Sequence, residues 1–298
     1  MASNPNDRDY NYGSVRNERK FWLNFRRVVA YVVLTLLCIL CLFFFYIMII
    51  NCTRSHTEIQ KSGFAVLPGF EFGNNFAAII GDANIPLFKG MLNSLIVSVG
   101  CVVCSIYFSA MTAYGIHVYD FKGRKAVFNF ILLVMTIPTQ VTALGFVDMI
   151  NNWKLNNNFI PLIIPAIASP TVFFFMKQYM DSALPIDIVE AARIDGANEF
   201  RTFNSIILPI LKPAMAVQGI FTFVSSWNNY FVPNLILTKT EMKTLPIMVY
   251  MWRCKDFASL NMGHVYMVIT VSILPVMIVY FCLSKFIVGG VTLGAVKG

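Results

Sequence analysis

Residues Pro185 to Pro213 read PIDIVEAARIDGANEFRTFNSIILPILKP, a long polar segment between two apolar runs. Pro185 suits a first helical position, where a missing N–H costs nothing, and Asp187 falls in the first turn, where the helix dipole favours a carboxylate. Ala191 and Ala192 are strong helix formers, and Gly196 suits the position just past a helix end. The stretch therefore predicts a helix of about three turns over Ile186 to Asp195. Asp187, Glu190 and Arg193 are spaced by three and share a polar stripe, while Ile186 and Val189 form an apolar one. A second short helix is expected next, with Phe200 and Phe203 on one side. Leu208-Pro209 and Pro213 mark the entry into the next apolar run.

Around this segment the chain is built for lipid. Of its 298 residues 57% are hydrophobic and 13% charged, and mean hydropathy is +0.65. That composition excludes a soluble globule and predicts an all-α polytopic membrane protein. Six apolar runs stand out: 28–50, 92–116, 126–146, 159–176, 206–232 and 264–287. The first is too long for a signal-peptide core and reads as an uncleaved span. The expected division is a polar tail over 1–27, a six-span domain over 28–287 with a polar loop over 177–205, and a tail over 288–298. The net charge is +8. Its cations fall mostly on segments that six spans would place inside, which puts both termini in the cytoplasm. The basic N-terminal tail thus orients the chain and does not bind nucleic acid. Pro138 should break the third span, and Pro161, Pro165 and Pro170 should kink the fourth.

Several chemistries lack their residues. There is no G-x-x-x-x-G-K-[ST] phosphate loop. His56, His117 and His264 are scattered and make no zinc spacing, so no metal site is expected. Cys38/Cys41 and Cys101/Cys104 have C-x-x-C spacing within spans, where packing on one helix face explains them. Cys52 and Cys254 both fall outside, and a disulfide between them is one option. Mid-span acidic residues, the usual mark of ion-coupled carriers, are missing. The spans carry neutral polar groups instead: Gln218, Ser225, Trp227, Asn228, Asn229 and Tyr230 near one span end, with Asn129, Gln140 and Ser226. Interhelical hydrogen bonding and an interfacial aromatic belt each account for such residues. A pathway for an uncharged polyhydroxylated solute is the third account, since amides and aromatic faces suit such ligands.

Glu190-Ala191-Ala192, Asp195-Gly196-Ala197, Phe203, Ile206 and Leu208-Pro209 closely resemble the EAA loop of permease subunits of ATP-binding-cassette importers. The spacing is that of the carbohydrate branch, the six-span maltose-type permeases. Phe121, Gly123, Arg124 and Lys125 match its F-x-G-R-K turn. Asn93-Ser94-Leu95, the Trp227–Pro233 segment and the Gly294–Gly298 terminus are also similar. Leu144-Gly145 and Asn156-Asn157-Asn158 depart from the pattern. The resemblance implies a subunit that binds no cofactor itself and is not an enzyme. ATP and Mg would sit on two partner ATPase subunits. A second permease subunit, forming a heterodimer, and an extracytoplasmic solute-binding protein would complete the complex. Glu190, Ala191, Ala192, Asp195, Gly196, Ala197, Phe200, Phe203, Leu208 and Pro209 would form the ATPase-coupling loop. The expected cargo is a sugar, foremost an oligosaccharide. An amino-acid or peptide permease, an ion-coupled carrier and a non-transporting scaffold stay open as alternatives. The aromatics Tyr250, Trp252 and Phe257 near Arg253 suggest a contact with the binding protein.

Overall fold

The computed structural model describes residues 6–63, 65–255 and 260–295, with side chains over 22–63, 65–138, 140–255 and 260–284. Phe257 and Val296 to Gly298 lie outside the described residues. All regular structure among the described residues is helical. Helix α1 (Asn6–Cys52) runs unbroken through position 27, and its apolar stretch Trp22–Cys52 is long enough to cross a membrane. Most of its large side chains are exposed, as suits a helix facing lipid. Two short helices follow, α2 (His56–Ser62) and α3 (Phe72–Gly81). Helix α4 (Leu87–Val118) is the second span and starts five residues earlier than hydropathy alone places it.

The third apolar run is two helices. Helix α5 (Arg124–Val134) and helix α6 (Thr139–Asn152) are separated at Pro138, and neither alone has the length of a span. Gly123 precedes α5 at φ 93°, a conformation that suits glycine in so tight a turn. The proline-rich fourth run holds α7 (Ile160–Ile163), a 3₁₀ turn (Ile164–Ile167) and α8 (Pro170–Ala183), which together qualify as a span.

The polar segment then forms α9 (Ile186–Ile194) and α10 (Glu199–Arg201). A π-helical turn (Thr202–Ile207), α11 (Leu208–Ile210) and α12 (Lys212–Trp227) follow. The chain bends by 78° between the Glu199–Ile210 segment and α12. Helices α13 (Phe231–Ile236), α14 (Leu245–Arg253) and α15 (Met262–Ala295) complete the fold. Among the described residues four helical segments are thus long and apolar enough to span, or five when the bent pair is taken as one, against the six runs read from the sequence. Helix α15 runs on through the glycines of the expected tail as far as Ala295, past the span end read at position 287.

Among the described residues three buried clusters hold the bundle, the smallest joining Ile150 of α6 to Ile236 and Leu237 at the end of α13. Near the polar segment, Ala110, Ala113 and Ile116 of α4 meet Met176 and Met180 of α8, Val189 of α9 and Phe203 and Ile207 of the π turn. At the opposite end, Ile79, Leu87, Phe223, Trp227, Met248, Trp252 and Val268 bring α3, α4, α12, α14 and α15 together. Polar ties fix the connections there. Asn93 Nδ2 donates to the carbonyls of Glu241 and Lys243 at 2.8 and 2.9 Å, and Leu245 N–H donates to Ser94 Oγ at 2.8 Å. Cys52 and Cys254 are both free thiols, Cys52 buried and Cys254 exposed.

Candidate functional site: a docking loop and a polar cavity

Helix α9 starts at Ile186 as the sequence suggests, but Pro185 is not its first helical residue: it is the extended N-cap (ψ 138°). The helix ends on Asp195 with Gly196 at φ 77°. Gly196 N–H donates to Arg193 O and Ala197 N–H to Ala192 O, both at 3.0 Å. This pair of bonds is a Schellman motif, which satisfies two carbonyls that the helix leaves open. Asn198 then caps α10, its Oδ1 accepting from Arg201 N–H at 2.8 Å.

The loop has a buried face and an open one. Val189 and Ala192 are buried, whereas Glu190, Ala191 and Asp195 are exposed. Ile194 is 86% exposed and Phe200 71%, an unusual cost for large apolar groups. Phe200 and Phe203 do not share a side. Phe203 is buried 5.8 Å from the Tyr107 ring and 5.4 Å from the Tyr114 ring. The expected stripe of Asp187, Glu190 and Arg193 is also redrawn. Arg193 Nε turns to Glu199 Oε1 at 2.7 Å, and its guanidinium lies 5.6 Å from the Tyr119 ring centre. Glu199 Oε2 accepts from Tyr114 Oη at 3.0 Å. The hydrogen bond to Glu199 holds the Arg193 pKa above its ordinary value. Sequence reasoning missed Glu199, Tyr114 and Tyr119, whose partners lie far apart in the chain. Leu208 is partly buried against the same cluster and Pro209 is exposed.

The second feature is a cavity of about 870 Å³ between α4, α6, α8 and α12. Gln218, Ser225, Ser226 and Asn229 line one wall. Ser94, Cys101, Gln140, Thr142, Ser169 and Thr171 contribute further polar atoms, and every lining residue is uncharged. Trp227, Asn228 and Tyr230 are not in the lining. Trp227 is buried, stacks on Phe223 at 5.5 Å and donates Nε1–H to Ser272 O at 3.2 Å. Tyr230 packs on Tyr250 with ring centres 5.2 Å apart, and Asn228 is exposed at the end of α12. The cavity mixes apolar walls with hydroxyls and amides, so it can hold a solute by hydrogen bonds without fixed charge. No group of three or more His, Cys, Asp or Glu placed to hold a metal occurs among the described residues.

Comparison with known proteins matches residues 105–292 to the family described as binding-protein-dependent transport system inner membrane component. The chain belongs to this family. It is 31% identical over 277 residues to the arabinooligosaccharides transport system permease protein AraQ of Bacillus subtilis (strain 168), covering 91% of this chain and 96% of that protein. It is 31% identical to the diacetylchitobiose uptake system permease protein NgcG of Streptomyces coelicolor, over 82% of this chain and 80% of the relative. The sn-glycerol-3-phosphate transport system permease protein UgpE of Salmonella typhi is 32% identical over 68% of this chain and 73% of its own. The fold is also that of a crystal structure of a bacterial ABC transporter involved in the import of the acidic polysaccharide alginate. There the TM-score is 0.74 at 22% identity, covering 96% of this chain and 99% of that one. The chain is therefore a membrane-spanning permease component of a binding-protein-dependent importer, a non-catalytic role.

Proposed function

We propose that this chain is one of two permease subunits that pass an uncharged oligosaccharide into the cell by alternating access. Two separate ATPase subunits would supply the energy and hold ATP and Mg. An extracytoplasmic binding protein would deliver the solute. Both termini would lie in the cytoplasm. The observation that carries the reading is the open face of α9 and α10, where Glu190, Ala191, Ile194 and Phe200 stand exposed on a loop braced from behind. A partner that grips this face differently in its two nucleotide states would shift the permease between conformations, since only differential affinity moves an equilibrium.

The uncharged lining of the cavity favours neutral sugars, such as those in the names of AraQ and NgcG, over the phosphate ester in the name of UgpE. Gln218, Ser225 and Asn229 line the cavity, which supports a pathway role for them. A photo-crosslinker in place of Ala191 should capture an ATP-binding-cassette ATPase in the native membrane. Deleting the gene should abolish uptake of a neutral oligosaccharide and spare that of glycerol 3-phosphate. Capture of lipid alone, or unaltered sugar uptake, would count against the reading.

A further inference from the structure

We infer that Tyr114 and Glu199 are positioning residues that lock the docking loop to α4, so that the loop and this span move as one body. The inference rests on the reading of α9 and α10 as the face that takes up ATPase motion. Two routes lead from that face to the cavity. One follows the chain, through the π-helical turn into α12, and is bent by 78°. A turn of that kind and a bend of that size are places where a displacement is absorbed. The other crosses to α4, which is continuous from Leu87 to Val118.

Glu199 makes that crossing. Its carboxylate accepts from Arg193 of α9 at 2.7 Å and from Tyr114 of α4 at 3.0 Å, so one side chain joins three helices. Hydrogen bonds to a charged acceptor are stronger than neutral ones, and hydrogen bonds from Tyr119 and then Arg193 hold the Glu199 pKa below its ordinary value. Tyr114 is 4% exposed, and its ring packs on Phe203 and, edge-on, on Tyr119, so its hydroxyl has little freedom to follow a wandering partner. Further along α4, Ser94, Val97 and Cys101 line the cavity. At 1.5 Å per residue, Cys101 lies about 20 Å from Tyr114 along the helix axis. A rigid helix with both ends engaged is the kind of element through which coupling travels.

The test measures distances in the whole complex, extracted in mild detergent, with spin labels introduced by amber suppression to spare the native cysteines. One label pair joins exposed Thr112 of α4 to exposed Arg201 of α10; a second joins Arg201 to Met277 of α15. Between the nucleotide-free and the ATP–vanadate-trapped states, the Arg201–Met277 distance should shift and the Thr112–Arg201 distance should stay single and narrow. Glu199→Ala or Tyr114→Phe should give the Thr112–Arg201 pair a second population in the trapped state. The double variant should do no more than Glu199→Ala alone. Glu199→Gln replaces Glu199→Ala if the latter fails to reach the membrane. A Thr112–Arg201 distance that shifts with nucleotide in the parent protein, or stays narrow in the variants, overturns the inference. If no ATPase accompanies the chain, or neither pair responds to nucleotide, the docking reading itself fails.

Discussion

Gly196 follows the end of the nine-residue helix α9, on the loop proposed to dock an ATPase. At φ 77° it lets Ala197 reach back to Ala192, and the chain leaves α9 in the direction that brings Glu199 to Tyr114. A Cβ at this position would meet nothing within 4 Å, so the cost of substitution is conformational and not steric crowding. Gly196→Val should therefore strain the turn by roughly 1–3 kcal/mol. Gly196→Asn should cost less, because asparagine visits the left-handed region routinely. The turn lies outside the apolar spans, so membrane abundance should hold for both. Retention of the ATPase subunit on purification should fall about tenfold or more for valine, the equivalent of 1.4 kcal/mol, and stay near the parent level for asparagine. Equal retention by all three proteins would mean that the turn geometry does not matter to docking.

Individual helices were legible where local rules suffice and obscure where distant partners decide. Composition and apolar runs located the spans, and Pro138 announced the break between α5 and α6. The ends of α9 followed from proline and glycine to within a residue. Phe200 and Phe203 did not follow, because residues three apart on a helix diverge by about 60°, and packing chooses between them. Here Tyr107 and Tyr114, nearly a hundred residues away, take Phe203. Trp227 follows the interhelical account left open by the sequence, donating to Ser272 O of α15 at the end of α12. Asn157 is the sharpest case. Its run of asparagines looked only like a departure from a pattern. Yet its Oδ1 accepts from the N–H groups of Thr238 and Lys239 at 2.8 and 2.7 Å, and its N–H donates to Ile236 O at 3.1 Å. It sits at φ 56° and ties the loop after α6 to the end of α13. Asn157→Gly keeps the backbone freedom and loses the side-chain bonds, which should cost about 1–3 kcal/mol. Asn157→Ala should cost a further 1–2 kcal/mol or so for the left-handed residue. Thermal unfolding of the solubilised protein should rank the melting temperatures parent, then glycine, then alanine. The reverse order of the two variants would assign the effect to the bonds alone.

At the scale of the whole molecule, the proposed docking face and the cross-tied connections sit at opposite ends of α4. Glu199, Arg193 and Phe203 cluster at one end of α4, near Tyr114. Asn93 and Ser94 hold the 241–245 connection at the other end, about 30 Å away by the rise of the helix, which matches the hydrocarbon thickness of a bilayer. On the proposed topology, the bias of Lys and Arg puts the first end in the cytoplasm. Surface exposure chooses where to probe that assignment. Leu67, 77% exposed, and exposed Lys239 serve at one end; Ile194, 86% exposed, and exposed Lys122 serve at the other. In intact cells, cysteines at Leu67 and Lys239 should react with a membrane-impermeant maleimide, and those at Lys122 and Ile194 should react only after lysis. The native exposed thiols set the background, so each variant is compared with the parent chain. Labelling of Ile194 from outside would place α9 beyond the reach of any cytoplasmic ATPase and remove the basis for a coupling role.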